Sequence, residues 1–180
     1  MKLVLSPDPV LKEKCTVVDV SDPKELKEVG KQANAMLKIM YRNHGCGLAA
    51  PQVGITKRFF VVDLEWDGED TSTRNPLVII NPEIVETEGD MVEYAEGCLS
   101  LPGVLIPVER QENVKLRAYD TDGDQIEVEA HEFDARCFQH ENDHLDGITL
   151  FEKVDPIARV GYLQEYEQAL ANGAKPGVYD

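Results

Sequence analysis

The sequence predicts an α+β fold of short, mostly antiparallel strands with three helices. Two observations carry the prediction. Apolar residues recur at helical spacing near the start, around residue 140 and near the end. Between residues 59 and 130 the chain breaks instead into short β-branched and aromatic runs separated by turn residues. Helices set apart from a run of strands fit α+β order. The 180 residues are 42% hydrophobic and 29% charged, which suits one globular domain over residues 1–180, and no repeat or linker divides it. The net charge of −16 argues against non-specific binding to nucleic acid or an anionic membrane. Four cysteines at irregular spacing, no basic-then-apolar leader in Met1 to Pro9 and no membrane-length apolar run predict reduced thiols and a cytoplasmic protein.

Ser21-Asp22-Pro23-Lys24-Glu25 opens the first helix, with Asp22 as cap, Pro23 in the first turn and Glu25 at capping-box spacing. Leu26, Val29, Ala33, Met36, Leu37 and Met40 form its buried stripe, and Asn43-His44-Gly45 ends it. In the following loop, Gly45 and Gly47 let backbone approach a ligand, Ala49 and Ala50 leave space, and the Gln52 amide can donate to a carbonyl oxygen as it gains charge. Taken alone, the loop fits a tight turn packed on the core better. Phe59 to Glu65, Leu77 to Ile80 and Ile84 to Thr87 read as strands, punctuated by Asp67-Gly68-Glu69-Asp70 and Asn81-Pro82. Gly97 permits an unusual turn that can aim Cys98 at a metal. Val104 to Val108, Val114 to Tyr119 and Ile126 to Ala130 follow, the last two joined by a hairpin turn at Thr121-Asp122-Gly123-Asp124.

The next helix carries the chemistry. His140 and His144 fall one turn apart on one face, in reach of a single metal ion, and Glu141 projects to the side where its carboxylate can meet a water. Phe133 and Cys137 share the histidine face, and Gly147 closes the helix. Two histidines alone bind weakly, so a third ligand is needed. Leu150 stands where one protease class has a histidine, which excludes that class. Glu165, 21 residues beyond His144, suits a metallopeptidase. Cys137 lies too far along the helix from His144 to complete one compact site, leaving Cys15, Cys46 and Cys98. Asp155-Pro156 starts the last helix, with Ile157, Val160, Leu163, Tyr166 and Leu170 expected on its buried side, and residues 172–180 read as a loosely held tail.

Three segments taken together resemble one family. Gly45-Cys46-Gly47-Leu48-Ala49-Ala50-Pro51-Gln52, Glu96-Gly97-Cys98-Leu99-Ser100 and His140-Glu141-Asn142-Asp143-His144 occur in the form and order found in peptide deformylases of the bacterial type 1. The resemblance runs from about residue 5 to the helix after residue 154. It implies strands around a central metal-binding helix, and hydrolysis of the N-terminal formyl group from N-formylmethionyl nascent peptides. Cys98, His140 and His144 become the metal ligands, Glu141 the proton carrier, and Gln52 with the Leu99 backbone N–H the donors to the oxyanion. Gly45, Cys46, Gly47 and Gly97 then lie along the substrate, Cys46 in the methionine pocket, while Glu96 pairs with Arg110 behind the ligands. Arg136, aliphatic in some relatives, is expected to cover the helix. The ligand types suit zinc or ferrous iron, and the resemblance implies Fe2+, with Ni2+, Co2+ or Zn2+ as substitutes. A basic C-terminal helix anchors some relatives to the ribosome. Here Glu152, Asp155, Glu165, Glu167 and Asp180 outweigh Lys153, Arg159 and Lys175, so no such anchor is evident. A metallopeptidase with Glu165 as third ligand is the alternative reading, and a closed structural metal site that includes Cys46 is another.

Overall fold

The computed structural model describes residues 1–179; Asp180 lies outside the described residues. The regular elements are α1 (Pro23–Arg42), β1 (Gly47–Ala49), β2 (Phe59–Val62), β3 (Leu77–Cys98), β4 (Leu101–Tyr119), β5 (Gln125–His131), α2 (Glu132–Leu145) and α3 (Pro156–Ala171). One five-stranded sheet runs β1-β2-β3-β4-β5, each neighbouring pair antiparallel. The α+β class is as predicted.

α1 starts on the expected cap, with the Lys24 N–H donating to Asp22 at 2.9 Å, and its exit uses His44 at φ 53°. Glu25 does not close a capping box. It forms an ion pair with Lys57 at 2.6 Å instead. β2 explains how the layers meet: Phe59 and Val61 pack with Met36 and Met40 of α1, whereas Phe60 and Val62 pack with Phe138 of α2. Both faces of the strand are covered, which is why its sequence is continuously apolar rather than alternating. Each such side chain, fully buried, stabilises by about 1.5–3 kcal/mol before chain entropy is subtracted. α2 is thus held by the sheet along its length, and its exit is fixed by Gly147, φ 74°, which sits against the Lys12 backbone where no side chain fits.

Three expectations are corrected. The separate strands predicted around Asn81-Pro82 and between Val108 and Val114 are fused into β3, of 22 residues, and β4, of 19. Irregularities in register absorb the breakers: pairing slips between Ile80 and Glu83 and between Glu88 and Met91, where Asn81 (φ 50°) and Gly89 (φ 84°) stand. The apolar stripe of α3 is not its buried side. Ile157 is 86% and Val160 55% exposed, Leu163 and Leu170 are also exposed, and Tyr166 alone is buried. The helix lies on one side of the β3–β4 hairpin, anchored by Tyr166, whose hydroxyl donates to the Ser6 carbonyl at 2.9 Å. Finally, the tail is docked. Gly173 (φ 82°) turns the chain, Ala174 meets Gly103, the Gly177 α-carbon rests on the Asn43 backbone, and the Tyr179 ring covers Gly97. Its contacts run through glycines, which leave no apolar signal in the sequence.

Candidate metal centre and active site

Two elements converge on the centre. α2 presents His140 and His144 one turn apart, their ring centroids 5.1 Å from each other. β3 ends at Cys98, where the register against β4 slips between Glu96 and Cys98 and turns at Leu99-Ser100. The slip at Gly97 delivers the thiol to the helix: Cys98 Sγ lies 3.3 Å from His144 Nε2. Donor atoms of Cys98, His140 and His144 all lie within 4.8 Å of one another. Among the described residues this is the cluster of histidine, cysteine and carboxylate groups that could hold a metal ion. Glu165 is exposed on α3, outside it, and Cys46 faces Cys137 across 3.7 Å instead.

The chemistry of these donors fits a divalent transition metal. Burial holds His144 well below the usual imidazole range, helped by the charges of His140 and Arg110, so it is neutral, the ligating form. The Cys98 thiol is pushed up by burial and by the charge of Glu141, a cost that a bound cation reverses. His144 Nδ1 and Glu141 Oε2 are buried without partners.

Behind the ligands stands Glu96. Its Oε2 meets His140 Nδ1 at 2.9 Å, which leaves His140 Nε2 for the centre. Arg110 grips the same carboxylate through Nε at 2.6 Å and Nη2 at 3.0 Å, and reaches Asp143 of α2 with Nη1 at 2.8 Å. Burial alone would raise Glu96; hydrogen bonds from His140 and Arg110 and their charges more than offset it and bring it down to about 2. Arg136 is a second cation on this carboxylate. It donates to Glu96 Oε1 at 2.6 Å, to the Val108 carbonyl at 2.8 Å and to the Val92 carbonyl at 2.6 Å. The expectation that it merely covers the helix is therefore corrected: it ties α2 to β3 and β4. A hint was available, since Arg136 lies four residues before His140 on the same helix face. Asp143 was missed, because its partner is 33 residues away in sequence.

Glu141 is 4% exposed. Burial drives it well above the usual carboxylate range, the neighbouring Cys46 and Glu96 push the same way, and Arg110 opposes. Gly47 is small for a physical reason: a Cβ there would overlap the Glu141 carboxylate. Gly45 instead leaves room for the Leu99 side chain, 2.8 Å from where its Cβ would be. The Gln52 amide is oriented by its neighbours. Its Oε1 accepts the Ala49 N–H at 2.8 Å, so its Nε2 points inward, 3.4 Å from Cys98 Sγ and 3.2 Å from Ser100 Oγ. A cavity of about 660 Å³ opens beside this group, lined by Cys46, Gly97, Cys98, Arg136, Cys137 and Tyr179 among others. The sequence reading found every member of the metal cluster but not Tyr179, whose phenol burial pushes up, with added effect from the sulfurs of Cys98 and Cys46.

An α+β scaffold that joins one cysteine to two histidines of a helix, beside a buried carboxylate and an open cavity, has the make-up of a metal-dependent hydrolase. The model of the polypeptide deformylase family matches residues 1–160. The chain is 43% identical to a peptide deformylase of Desulforudis audaxviator over 156 residues, 87% of this chain and 94% of that one. It is 41% identical to one of Thermodesulfovibrio yellowstonii over 162 residues, 89% and 93% of the two chains. A crystal structure of a peptide deformylase from Legionella pneumophila superposes with a TM-score of 0.84 at 33% identity, covering 95% of each chain. One from Synechococcus elongatus, in complex with actinonin, gives 0.78 at 39% identity, covering 96% of this chain and 86% of that one. The chain belongs to the peptide deformylase family. It is a metal-dependent hydrolase that removes the N-formyl group from newly made polypeptides.

Proposed function

We propose that residues 1–180 act as one catalytic domain in the cytoplasm, with Cys98, His140 and His144 holding ferrous iron. When bound, the ion supplies a Lewis acid for the formyl carbonyl and makes water at the site more acidic. Glu141 takes the proton of the attacking water as its oxygen adds to the formyl carbon. The Gln52 amide N–H and the Leu99 backbone N–H donate to the carbonyl oxygen as charge builds on it. Glu141 then delivers the proton to the leaving nitrogen, the C–N bond breaks, and formate and a free methionine amine result. Glu96, held by Arg110, orients His140 through its Nδ1. Gly45, Cys46, Gly47 and Gly97 border the substrate, with the methionine side chain in the apolar part of the cavity by Cys46. The substrates are N-formylmethionyl nascent peptides.

The observation that supports this most is the pairing of a buried Glu141, one carboxylate oxygen unpartnered, with an inward-pointing Gln52 amide 3.4 Å from Cys98 Sγ. Gln52→Leu tests it: kcat should fall about 10²–10³-fold at nearly unchanged metal content. Unchanged kcat would remove Gln52 from the reaction. Metal analysis of protein purified without oxygen tests the ion; stoichiometric iron supports the reading, and zinc alone overturns it.

A further inference from the structure

Residues 173–179 lead from the last helix into the cavity beside the metal cluster. α3 stops at Ala171, and Gly173 (φ 82°) reverses the backbone, with the Ala174 N–H returning to the Ala169 carbonyl at 3.0 Å. Ala174 then packs on Gly103, and the Gly177 α-carbon (φ 77°) presses on the Asn43 backbone at the exit of α1. These two contacts aim Tyr179 across the cavity. A Cβ built on Gly97 would come within 2.5–2.9 Å of three atoms of its ring, so the ring is in direct contact with the Gly97 backbone. Gly177 and Tyr179 line the same cavity as Cys46, Cys98, His140 and Glu141. Nothing as thick as a peptide passes between Gly97 and this ring.

We propose that Tyr179 is a tethered occupant of the peptide site that a formylated chain must displace before it can be hydrolysed. The inference rests on the deformylase reading, in which Gly97 borders the substrate. A tethered group competes at a fixed and high local concentration, whatever the enzyme concentration. It lowers apparent affinity in proportion to the fraction of molecules left open: if about one in ten is open, KM rises about tenfold while kcat is unchanged. The open fraction belongs to the enzyme, so every formylated peptide that must displace the ring bears the same factor, whatever its length.

Two variants and two readouts test the proposal with the full-length, metal-loaded protein. Tyr179→Ala removes the ring. Gly177→Ala keeps it but places a methyl group against the Asn43 carbonyl, so that the strap cannot seat. Each should shift the Gly97 amide resonance, which lies under the ring, and each should lower KM for an N-formylmethionyl dipeptide about tenfold at unchanged kcat. The gain should be the same for a longer formylated peptide, because the open fraction does not depend on the substrate. An unmoved Gly97 resonance in Tyr179→Ala overturns the docking. A shifted resonance with unchanged KM overturns the competition, and a raised KM makes the ring a binding wall rather than an occupant, which also overturns it. Absence of turnover by wild type and both variants would overturn the deformylase reading, and with it this one; turnover with an unchanged KM overturns only the role of Tyr179.

Discussion

Glu96 is the residue through which the site and the stability of the fold are linked. Its carboxylate serves His140, Arg110 and Arg136 at once, and its folded value of about 2 lies below the ordinary 4.5. A depressed carboxylate contributes stability that is complete above its unfolded pKa and is lost as pH falls through the folded one. In the metal-free chain, Glu96→Gln should therefore be less stable than wild type by ~3 kcal/mol near neutral pH. The gap should close as pH falls from about 4.5 towards about 2, measured by urea unfolding across that range. A gap independent of pH would contradict the ionised hub. At this scale the sequence was most legible where chemistry is local: His140, Glu141 and His144 are readable from helical spacing alone. Cys98 needed the resemblance, and Arg136 with Asp143 needed the fold, because their partners meet across strands and helix.

The helices were legible from their caps, in α1 with Asp22 and Pro23, and in α3 with Asp155 and Pro156. Strand lengths were not. A proline or glycine in a strand run signals a break, but β3 passes Asn81-Pro82 and Gly89 by slipping register, and the same device at Gly97 presents Cys98. Periodicity also failed for α3, since a helix lying on the flank of a hairpin needs only one anchor. Substitution separates the two descriptions of α3: Val160→Ser should change unfolding free energy by no more than about 0.5 kcal/mol, whereas Tyr166→Ala should cost about 3–5 kcal/mol. Comparable costs at the two positions would restore the apolar stripe as the packed side. Gly47 joins element to function, since the start of β1 must pass the Glu141 carboxylate without a side chain. Gly47→Ala should lower kcat by displacing that carboxylate and leave metal content intact, a result read from steady-state kinetics beside metal analysis.

Across the whole molecule, α1 and α2 clamp opposite faces of the sheet, and the metal centre sits where α2 meets the end of β3. An ion held by this cluster would join parts of the chain more than 40 residues apart in sequence, from Cys98 to His140 and His144. An ion that binds only the folded chain stabilises it by about 3 kcal/mol at a hundredfold excess over its Kd. Chelation should lower the melting temperature by about 5–10 °C and abolish turnover, both restored by ferrous iron. An unchanged melting temperature would mean that no ion is held there. Net charge, −16, was legible at once but concerns partners rather than fold: formylated peptides rich in Asp and Glu should be poorer substrates at low salt than at high salt. The central claim is the reaction and its proton carrier. Its most direct test is formate release from a short N-formylmethionyl peptide by protein purified without oxygen, beside Glu141→Ala carrying the same metal. The wild type should release formate, and the variant should lose about 10²–10⁴-fold of that rate. Equal release by both proteins would contradict the claim.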